Sequence, residues 1–106
     1  MVEFVVVFIT APDEEAAARM ADELISAKLA ACVTLVRNVR SFYRWKGKTE
    51  DETEVLMMAK TRKELFEPLR QRIKELHSYT VPEIIALPIL CGSEEYLDWL
   101  RDETGV

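Results

Sequence analysis

Hydrophobic residues follow two kinds of spacing along this chain, and each predicts a different element. A nearly continuous apolar run from Glu3 to Thr10 predicts a central β-strand covered on at least one face. Apolar residues recurring at intervals of three and four predict helices over residues 13–28 and 63–76. The positions on these stripes are Ala17, Met20, Ala21, Leu24, Ile25 and Lys28 in the first helix, and Leu65, Phe66, Leu69, Ile73 and Leu76 in the second.

Turn and capping residues mark where these elements begin and end. Ala11-Pro12-Asp13 followed by two glutamates is typical of a turn and a helix start. Pro68 lies in the first turns of the second helix, where it bends the helix or marks a late start. Residues 84–90 predict another buried strand, in which Pro88 indicates an edge position or a bulge. Ser93 and the two glutamates after it predict the cap of a short final helix.

Residues 32–61 predict one very long β-hairpin. Its first arm runs from Cys32 to Trp45, its turn is Lys46-Gly47-Lys48, and its second arm returns through Thr53 to Thr61. Typical strands have ~5 to 6 residues, so arms of this length should project beyond any core that the chain builds alone. Because exposed apolar strand edges invite pairing with another chain, we predict a closed homo-oligomer.

The predicted order of elements is strand, helix, strand, strand, helix, strand, helix. It is typical of an α+β, ferredoxin-like βαββαβ fold with an added C-terminal helix, here as a single domain over residues 1–106. Right-handed crossovers place the first and third strands at the centre and both main helices on one face. The other face is then apolar and uncovered, which is a second reason to expect an oligomer.

Charge and cysteine content narrow the class of protein. A formal charge of −5 argues against general affinity for nucleic acid or anionic membranes. The run from Phe4 to Ile9 is far shorter than the ~20 residues that cross a bilayer. It also lacks a signal-peptide cleavage site, so we expect a cytoplasmic protein. Cys32 and Cys91 form no Cys-x-x-Cys pair and are expected to be reduced core residues.

Short motifs in a fixed order carry a resemblance that covers almost the whole chain. They are Ala11-Pro12-Asp13-Glu14, Lys28-Leu29-Ala30-Ala31-Cys32-Val33, Ser41-Phe42-Tyr43-Arg44-Trp45-Lys46-Gly47-Lys48, Glu54 with Lys60-Thr61, His77-Ser78-Tyr79-Thr80-Val81-Pro82-Glu83-Ile84, and Tyr96-Leu97-Asp98-Trp99. With these motifs the chain resembles the CutA divalent-cation tolerance family. The resemblance implies a ferredoxin-like protomer in a tight homotrimer whose hairpins reach around neighbours, similar to signalling proteins of nitrogen regulation.

The resemblance also implies a cytoplasmic protein linked to tolerance of copper and other divalent ions, with no accepted enzymatic activity. Some members of the family carry a cysteine near the end of the first strand and paired histidines before the second loop, as proposed metal ligands. The matching positions here are Ile9, Leu76 and His77, so the resemblance transfers only one of these ligands. The family's usual His-Pro-Tyr reads His77-Ser78-Tyr79 in this chain.

His77 is the only histidine, and we predict it as a metal ligand with Glu83 as its carboxylate partner. The expected ion is Cu(II) or another divalent metal, and no organic cofactor is expected. A tightly held transition metal needs three or four ligands, so His77 would need carboxylates or copies of itself from other subunits. The alternatives are a histidine that stabilises the helix end through the C-terminal dipole and an ordinary surface carboxylate at Glu83.

The acidic run Glu50, Asp51, Glu52 and Glu54 also has two interpretations. Four carboxylates can collect hard cations weakly. Such a run more often solvates a hairpin and protects its edge against aggregation, and this second interpretation is favoured.

Aromatic residues suggest a different kind of site. Tyr43, Trp45 and Tyr79 are candidates to line an inter-subunit cleft in which Lys60 would hold an anionic ligand. The alternative function is therefore a signalling-type trimer that binds a small anionic effector, with metal binding incidental. Aromatic residues near oligomer interfaces are also common for packing reasons alone.

Motifs of catalysis are missing from the sequence. It has no Gly-rich phosphate loop, no His-Glu-x-x-His and no nucleophile elbow. Small phosphatases of the same fold use an arginine and an asparagine where this chain has Ala11-Pro12-Asp13, so the fold alone does not support catalysis. An RNA-binding module is disfavoured by the acidic net charge. We therefore expect a binding protein and no enzyme.

Overall fold

The predicted order of elements is confirmed in a computed structural model that describes residues 3–105. Four strands and three helices follow one another as βαββαβα, with a short 3₁₀ turn, Lys63–Leu65, ahead of the second helix. The elements are β1 (Phe4–Ala11), α1 (Glu14–Ser26), β2 (Cys32–Trp45), β3 (Lys48–Arg62), α2 (Phe66–Leu76), β4 (Ile84–Pro88) and α3 (Glu94–Asp102).

The strands form one antiparallel sheet in the order β2-β3-β1-β4, with β1 and β3 at the centre as predicted. Alternate side chains of β1 are buried, because successive residues of a strand point to opposite faces. One face packs against α1 and α2 and forms the core. The fully buried large side chains of that core include Val7, Ile9, Met20, Leu24, Met57, Leu69 and Ile73.

The opposite face of the sheet is apolar and open. Val6 and Phe8 of β1 and Met58 of β3 are half-buried there. Ile85 and Leu87 of β4 are 52% and 46% exposed. The protomer alone therefore leaves a hydrophobic surface next to an edge strand, as the sequence predicts.

The hairpin projects beyond the core as a two-stranded ribbon. β1 pairs with β3 only between Val55 and Arg62, whereas β2 and β3 stay paired from Val39 and Glu54 out to Trp45 and Lys48. We call the segments 39–45 and 48–54 the ribbon. The protomer measures 44 Å along its longest axis and 25 and 22 Å across it.

Two features with positive φ define the geometry of the ribbon. Lys46 (φ 50°) and Gly47 (φ 81°) form its two-residue turn, whose left-handed backbone matches the twist of the strands. Asn38 (φ 58°) lies in a bulge that shifts the register between Val36 and Val39. The position of the turn follows from the sequence, although Lys48, which was predicted within it, is the first residue of β3. The bulge was not predicted.

Several boundaries and burial predictions need correction. Both cysteines were expected in the core, but Cys91 is exposed after β4 and Cys32 is only half-buried at the start of β2. Ile25 was placed on the apolar stripe of α1, yet it is 42% exposed because the helix has turned it away from the sheet. β4 stops at Pro88, and Leu90, predicted within that strand, is 96% exposed.

Pro88 ends an edge strand, as its lack of an N–H requires. Between residues 3 and 105, no helix is long and apolar enough to cross a membrane.

The cap of α1 gives a test of the fold. The Asp13 carboxylate accepts a hydrogen bond from the backbone N–H of Ala16 at 2.7 Å. Replacing Asp13 with alanine should lower the free energy of unfolding by about 1 kcal/mol, because the N–H loses its partner. Chemical denaturation at a fixed protein concentration measures this change.

Ser93→Ala is the matched control. Among the described helix starts, Ser93 occupies the same position of α3, but its side chain makes no capping bond. Its substitution should therefore change the free energy of unfolding by less than about 0.5 kcal/mol. Equal losses in the two variants would show that the Asp13 bond adds nothing.

Candidate functional site

His77 caps the C-terminal end of α2, and both nitrogens of its imidazole ring make hydrogen bonds. Its Nε2 donates to the carbonyl oxygen of Thr10 at 2.7 Å, and its Nδ1 accepts the backbone N–H of Tyr79 at 3.1 Å. These partners define a neutral ring protonated on Nε2. His77 is only 9% exposed. Its role in the protomer is to hold the loop after α2 against the end of β1.

Tyr79 continues this network toward the ribbon. Its ring centroid lies 4.6 Å from that of His77, and its hydroxyl donates to Glu54 Oε2 at 2.7 Å. Burial, and secondarily the bond to the Glu54 carboxylate, raise the pKa of Tyr79 well above its ordinary value of 10. Glu54 itself is only 4% exposed, although it is a carboxylate.

The ribbon and the loop after α2 enclose a cleft of about 680 Å³. Three of the predicted cleft residues, Tyr43, Trp45 and Tyr79, line it together. Glu83, predicted as a metal ligand, lies on its rim and is exposed. Glu54 forms part of the wall. The cleft therefore combines aromatic rings with two carboxylates.

Lys60 is not part of this cleft. Its Nζ donates to Thr34 Oγ1 at 3.1 Å and lies 3.8 Å from Cys32 Sγ, on the open face of the sheet. In the protomer it is therefore separate from the aromatic residues with which the sequence grouped it.

The acidic run of the returning arm divides between the two faces of the ribbon. Strand register puts Glu50, Glu52 and Glu54 on the same face as Tyr43. Burial, followed by the nearby carboxylates of Glu52, Glu54 and Glu50, raises the pKa of the Tyr43 phenol. Asp51 points to the other face, where Arg40 donates two hydrogen bonds to it at 2.9 and 2.8 Å.

The metal ligands implied by the resemblance do not form a complete set in one protomer. Ile9 is fully buried in the core, and Leu76 is half-buried. Across residues 3–105, no group of three or more His, Cys, Asp and Glu side chains is placed to hold a metal ion. Binding at Nδ1 of His77 would also displace the N–H of Tyr79. A tight transition-metal site would therefore need ligands from more than one copy of the chain.

Sequence reasoning missed the role of Glu54 as the buried end of a hydrogen-bond chain. Glu54 was grouped with an acidic run and expected at a solvated edge. The available signal was the alternation of β3, which places Glu54 directly before the buried Val55 and on the face of Tyr43. Its contact with Tyr79 depends on how α2 and its loop fold back, which strand alternation alone does not predict.

The fold and the cleft define a ferredoxin-like α+β protein with a long projecting ribbon. The family described as CutA1 divalent ion tolerance protein matches residues 5–103. The divalent-cation tolerance protein CutA of Thermus thermophilus is 51% identical over 100 residues, covering 94% of this chain and 97% of that protein. The chain therefore belongs to the CutA1 divalent ion tolerance family, and the resemblance seen in the sequence is confirmed.

Two solved structures share this fold, and the related proteins are described from different cellular locations. The structure of the divalent cation tolerance protein from Thermus thermophilus has a TM-score of 0.93 and 50% identity, covering 99% of this chain and 100% of that one. A CutA structure from Archaeoglobus fulgidus, described as periplasmic, has a TM-score of 0.90 and 46% identity, covering 97% and 98%. Arabidopsis thaliana has a relative named as chloroplastic, 45% identical, covering 94% of this chain but only 55% of that protein.

The half-buried phenol of Tyr79 gives a prediction for alkaline pH. A pKa raised above 10 favours the neutral phenol in the folded state. Tyr79 thus contributes stability that is complete below pH 10 and is lost as the pH rises through its folded-state pKa. We expect ultraviolet absorbance titration to show Tyr79 ionising above pH 10 in the folded protein, with Tyr79→Phe assigning the signal.

Glu54→Gln should lower the pKa of Tyr79, because it removes the neighbouring negative charge. The value should stay above 10, since burial is the first cause of the shift. Glu95→Gln, which removes an exposed carboxylate on α3, is the charge-matched control and should leave Tyr79 unchanged. A Tyr79 midpoint that ignores Glu54→Gln would mean that the two groups do not interact in solution.

Proposed function

We propose that this protein is a cytoplasmic homotrimer that binds divalent ions of the copper class and acts in divalent-cation tolerance. The observation that carries the tolerance role is the family match over residues 5–103. The family is described by tolerance of ions and by no reaction, which favours binding over catalysis. Free thiols at Cys32 and Cys91 suit a reducing compartment, although the named relatives include other locations.

The homotrimer is supported by what the protomer leaves uncovered. The ribbon extends past β1 with both of its edges unpaired in the protomer, and the open sheet face exposes Ile85 and Leu87 beside an edge strand. A ribbon that lies on a different surface of its neighbour makes a head-to-tail contact, and such contacts form a ring when the rotation between copies closes. Three copies form the smallest ring of this kind.

Metal binding at His77 and Glu83 is proposed as a property of that assembly. One chain offers a single imidazole, already hydrogen-bonded on both nitrogens, and an exposed carboxylate at the rim of the cleft. Ligands from a second copy would supply the missing donors. The proposal therefore links metal affinity to the oligomeric state.

The alternative of an anionic effector in the cleft has less support. Among the described lining residues there are two carboxylates, Glu54 and Glu83, and no lysine or arginine. Lys60, the cation proposed for that ligand, contacts Thr34 on the open sheet face. An anion in the cleft would be repelled unless a neighbouring copy contributed a positive charge.

Calorimetric titration of the purified oligomer with Cu(II), Zn(II) and Ca(II) tests the metal site. Stoichiometric binding of Cu(II) or Zn(II) should be lost in His77→Ala and weakened at least about tenfold in Glu83→Gln, because each removes one ligand. Ca(II) should bind weakly to all forms. Circular dichroism must show that His77→Ala is folded, because its ring also holds the loop after α2.

Glu95→Gln serves as the control for lost charge, since its carboxylate is exposed on α3 away from the cleft. Weak binding that is equal in all variants would mean that the acidic surface collects ions without a site. That result would overturn the metal proposal while leaving the family and the fold unaffected.

Shortening the ribbon tests the assembly. Deleting Arg44, Trp45, Lys48 and Thr49 removes the outermost two pairs and keeps the Lys46-Gly47 turn. We expect the mass measured by sedimentation to fall below that of a trimer at micromolar concentration, because the deleted tip would no longer contact its neighbour. Lys46→Asn, which retains the full ribbon and tolerates a positive φ, is the control. An unchanged mass in the shortened form would contradict the role of the ribbon.

A further inference from the structure

Glu54 is a buried carboxylate for which the protomer offers no counter-ion. The residue is 4% exposed, and within residues 3–105 its side chain accepts one hydrogen bond, from the neutral hydroxyl of Tyr79. None of the ion pairs found within residues 3–105 includes Glu54. Burying an ionised carboxylate is costly unless a cation compensates it. The wall of the cleft at Glu54 is therefore a place where a positive charge would be stabilised.

The rest of the cleft favours an organic cation. Tyr43, Trp45 and Tyr79 present aromatic rings beside Glu54, and ring faces attract ammonium groups. Trp45 already shows this attraction, because the Nζ of Lys46 lies 5.9 Å from the centroid of its ring. A cavity of about 680 Å³ also has room for a molecule much larger than a single metal ion.

Two basic residues near the cleft, Arg40 and Lys74, make their contacts elsewhere. Arg40 lies on the opposite face of the ribbon, bonded to Asp51 and stacked 4.9 Å from the Phe42 ring centroid. Lys74 donates to the carbonyl of Thr80 at 2.6 Å. Glu50 and Glu52 share the face of Glu54 and add to the negative potential. The charge of the site thus favours a cation from outside the protomer.

We propose that the cleft between the ribbon and the loop after α2 binds a small organic cation, a protonated aliphatic amine. Glu54 neutralises the ammonium group, the rings of Tyr43 and Trp45 cover its carbon chain, and Glu83 at the rim receives a second ammonium group in a diamine. This site does not use the proposed metal ligand His77, whose nitrogens face Thr10 and the backbone of Tyr79. It shares only Glu83, at the rim, with the proposed metal site. The proposal holds whether or not the protein binds copper.

Calorimetric titration of the full-length oligomer with putrescine, with succinate as the anionic counterpart, tests this proposal. Salt at about 150 mM screens the general attraction of an acidic protein for cations. Putrescine should bind saturably at one site per chain, and succinate should not bind. Glu54→Gln should weaken putrescine at least about tenfold, because a charge-assisted hydrogen bond is lost.

Two further variants separate the cleft from charge alone. Trp45→Leu keeps an apolar side chain but removes the aromatic face, and should weaken putrescine about threefold. Glu95→Gln changes the same charge as Glu54→Gln at an exposed site on α3, and should leave affinity unchanged. Equal effects of Glu54→Gln and Glu95→Gln would overturn the proposal, as would unsaturable binding or preference for succinate.

Light scattering in the same buffer distinguishes a free amine from a neighbour's side chain. A lysine or arginine of a second copy would satisfy Glu54 by the same chemistry. In that case Glu54→Gln would reduce the mass of the oligomer, and putrescine would not bind the wild-type cleft. That result would also overturn the proposal, while the metal titration at His77 would be unaffected.

Discussion

Backbone pairing along β3 is the constraint on which the rest of the structure depends. All but a few of its residues pair with β2, yet β1 accompanies it only from Val55 to Arg62. The inner part of β3 thus lies in a sheet with buried alternate side chains, and the outer part belongs to a ribbon with no core of its own. An isolated two-stranded ribbon is marginal in water, so its stability must come in part from contacts at its base.

The network at the base of the ribbon provides the first of these contacts. Thr10 at the end of β1, His77 at the end of α2 and Tyr79 in the following loop are linked by short hydrogen bonds, and Tyr79 reaches Glu54 where the ribbon begins. The ends of three elements thus meet where β1 stops. These hydrogen bonds leave one side of Glu54 facing the cleft. Glu54 therefore both anchors the base of the ribbon and forms part of the candidate binding site.

The fold was predictable because its signals are local. The apolar run of β1, the helical stripes and the Lys46-Gly47 turn each indicate an element from neighbouring residues.

The candidate site was predictable only in part. Tyr43 and Trp45 lie on the same strand, and alternation places them on one face, whereas the position of Tyr79 beside Glu54 depends on packing between distant segments. Lys60 differs because it lies six residues further along β3 than Glu54, beside Cys32 and Thr34 at the other end of the β2–β3 pairing. The bulge at Asn38 was also not predicted, because its positive φ and its register shift are properties of the folded backbone.

The bulge and the turn together fix the register of the two strands of the ribbon. Asn38 fixes the pairing at the base and Lys46-Gly47 fixes it at the tip, and between them every residue belongs to one of two faces. A slip of one residue in β2 against β3 would turn Tyr43 away from the face of Glu54 and bring Phe42 there instead. Changes in the length of this ribbon during evolution should therefore come as two residues in each arm. A single insertion at the base of each arm would keep the backbone pairing but would turn the cleft-facing side chains of both arms to the opposite face.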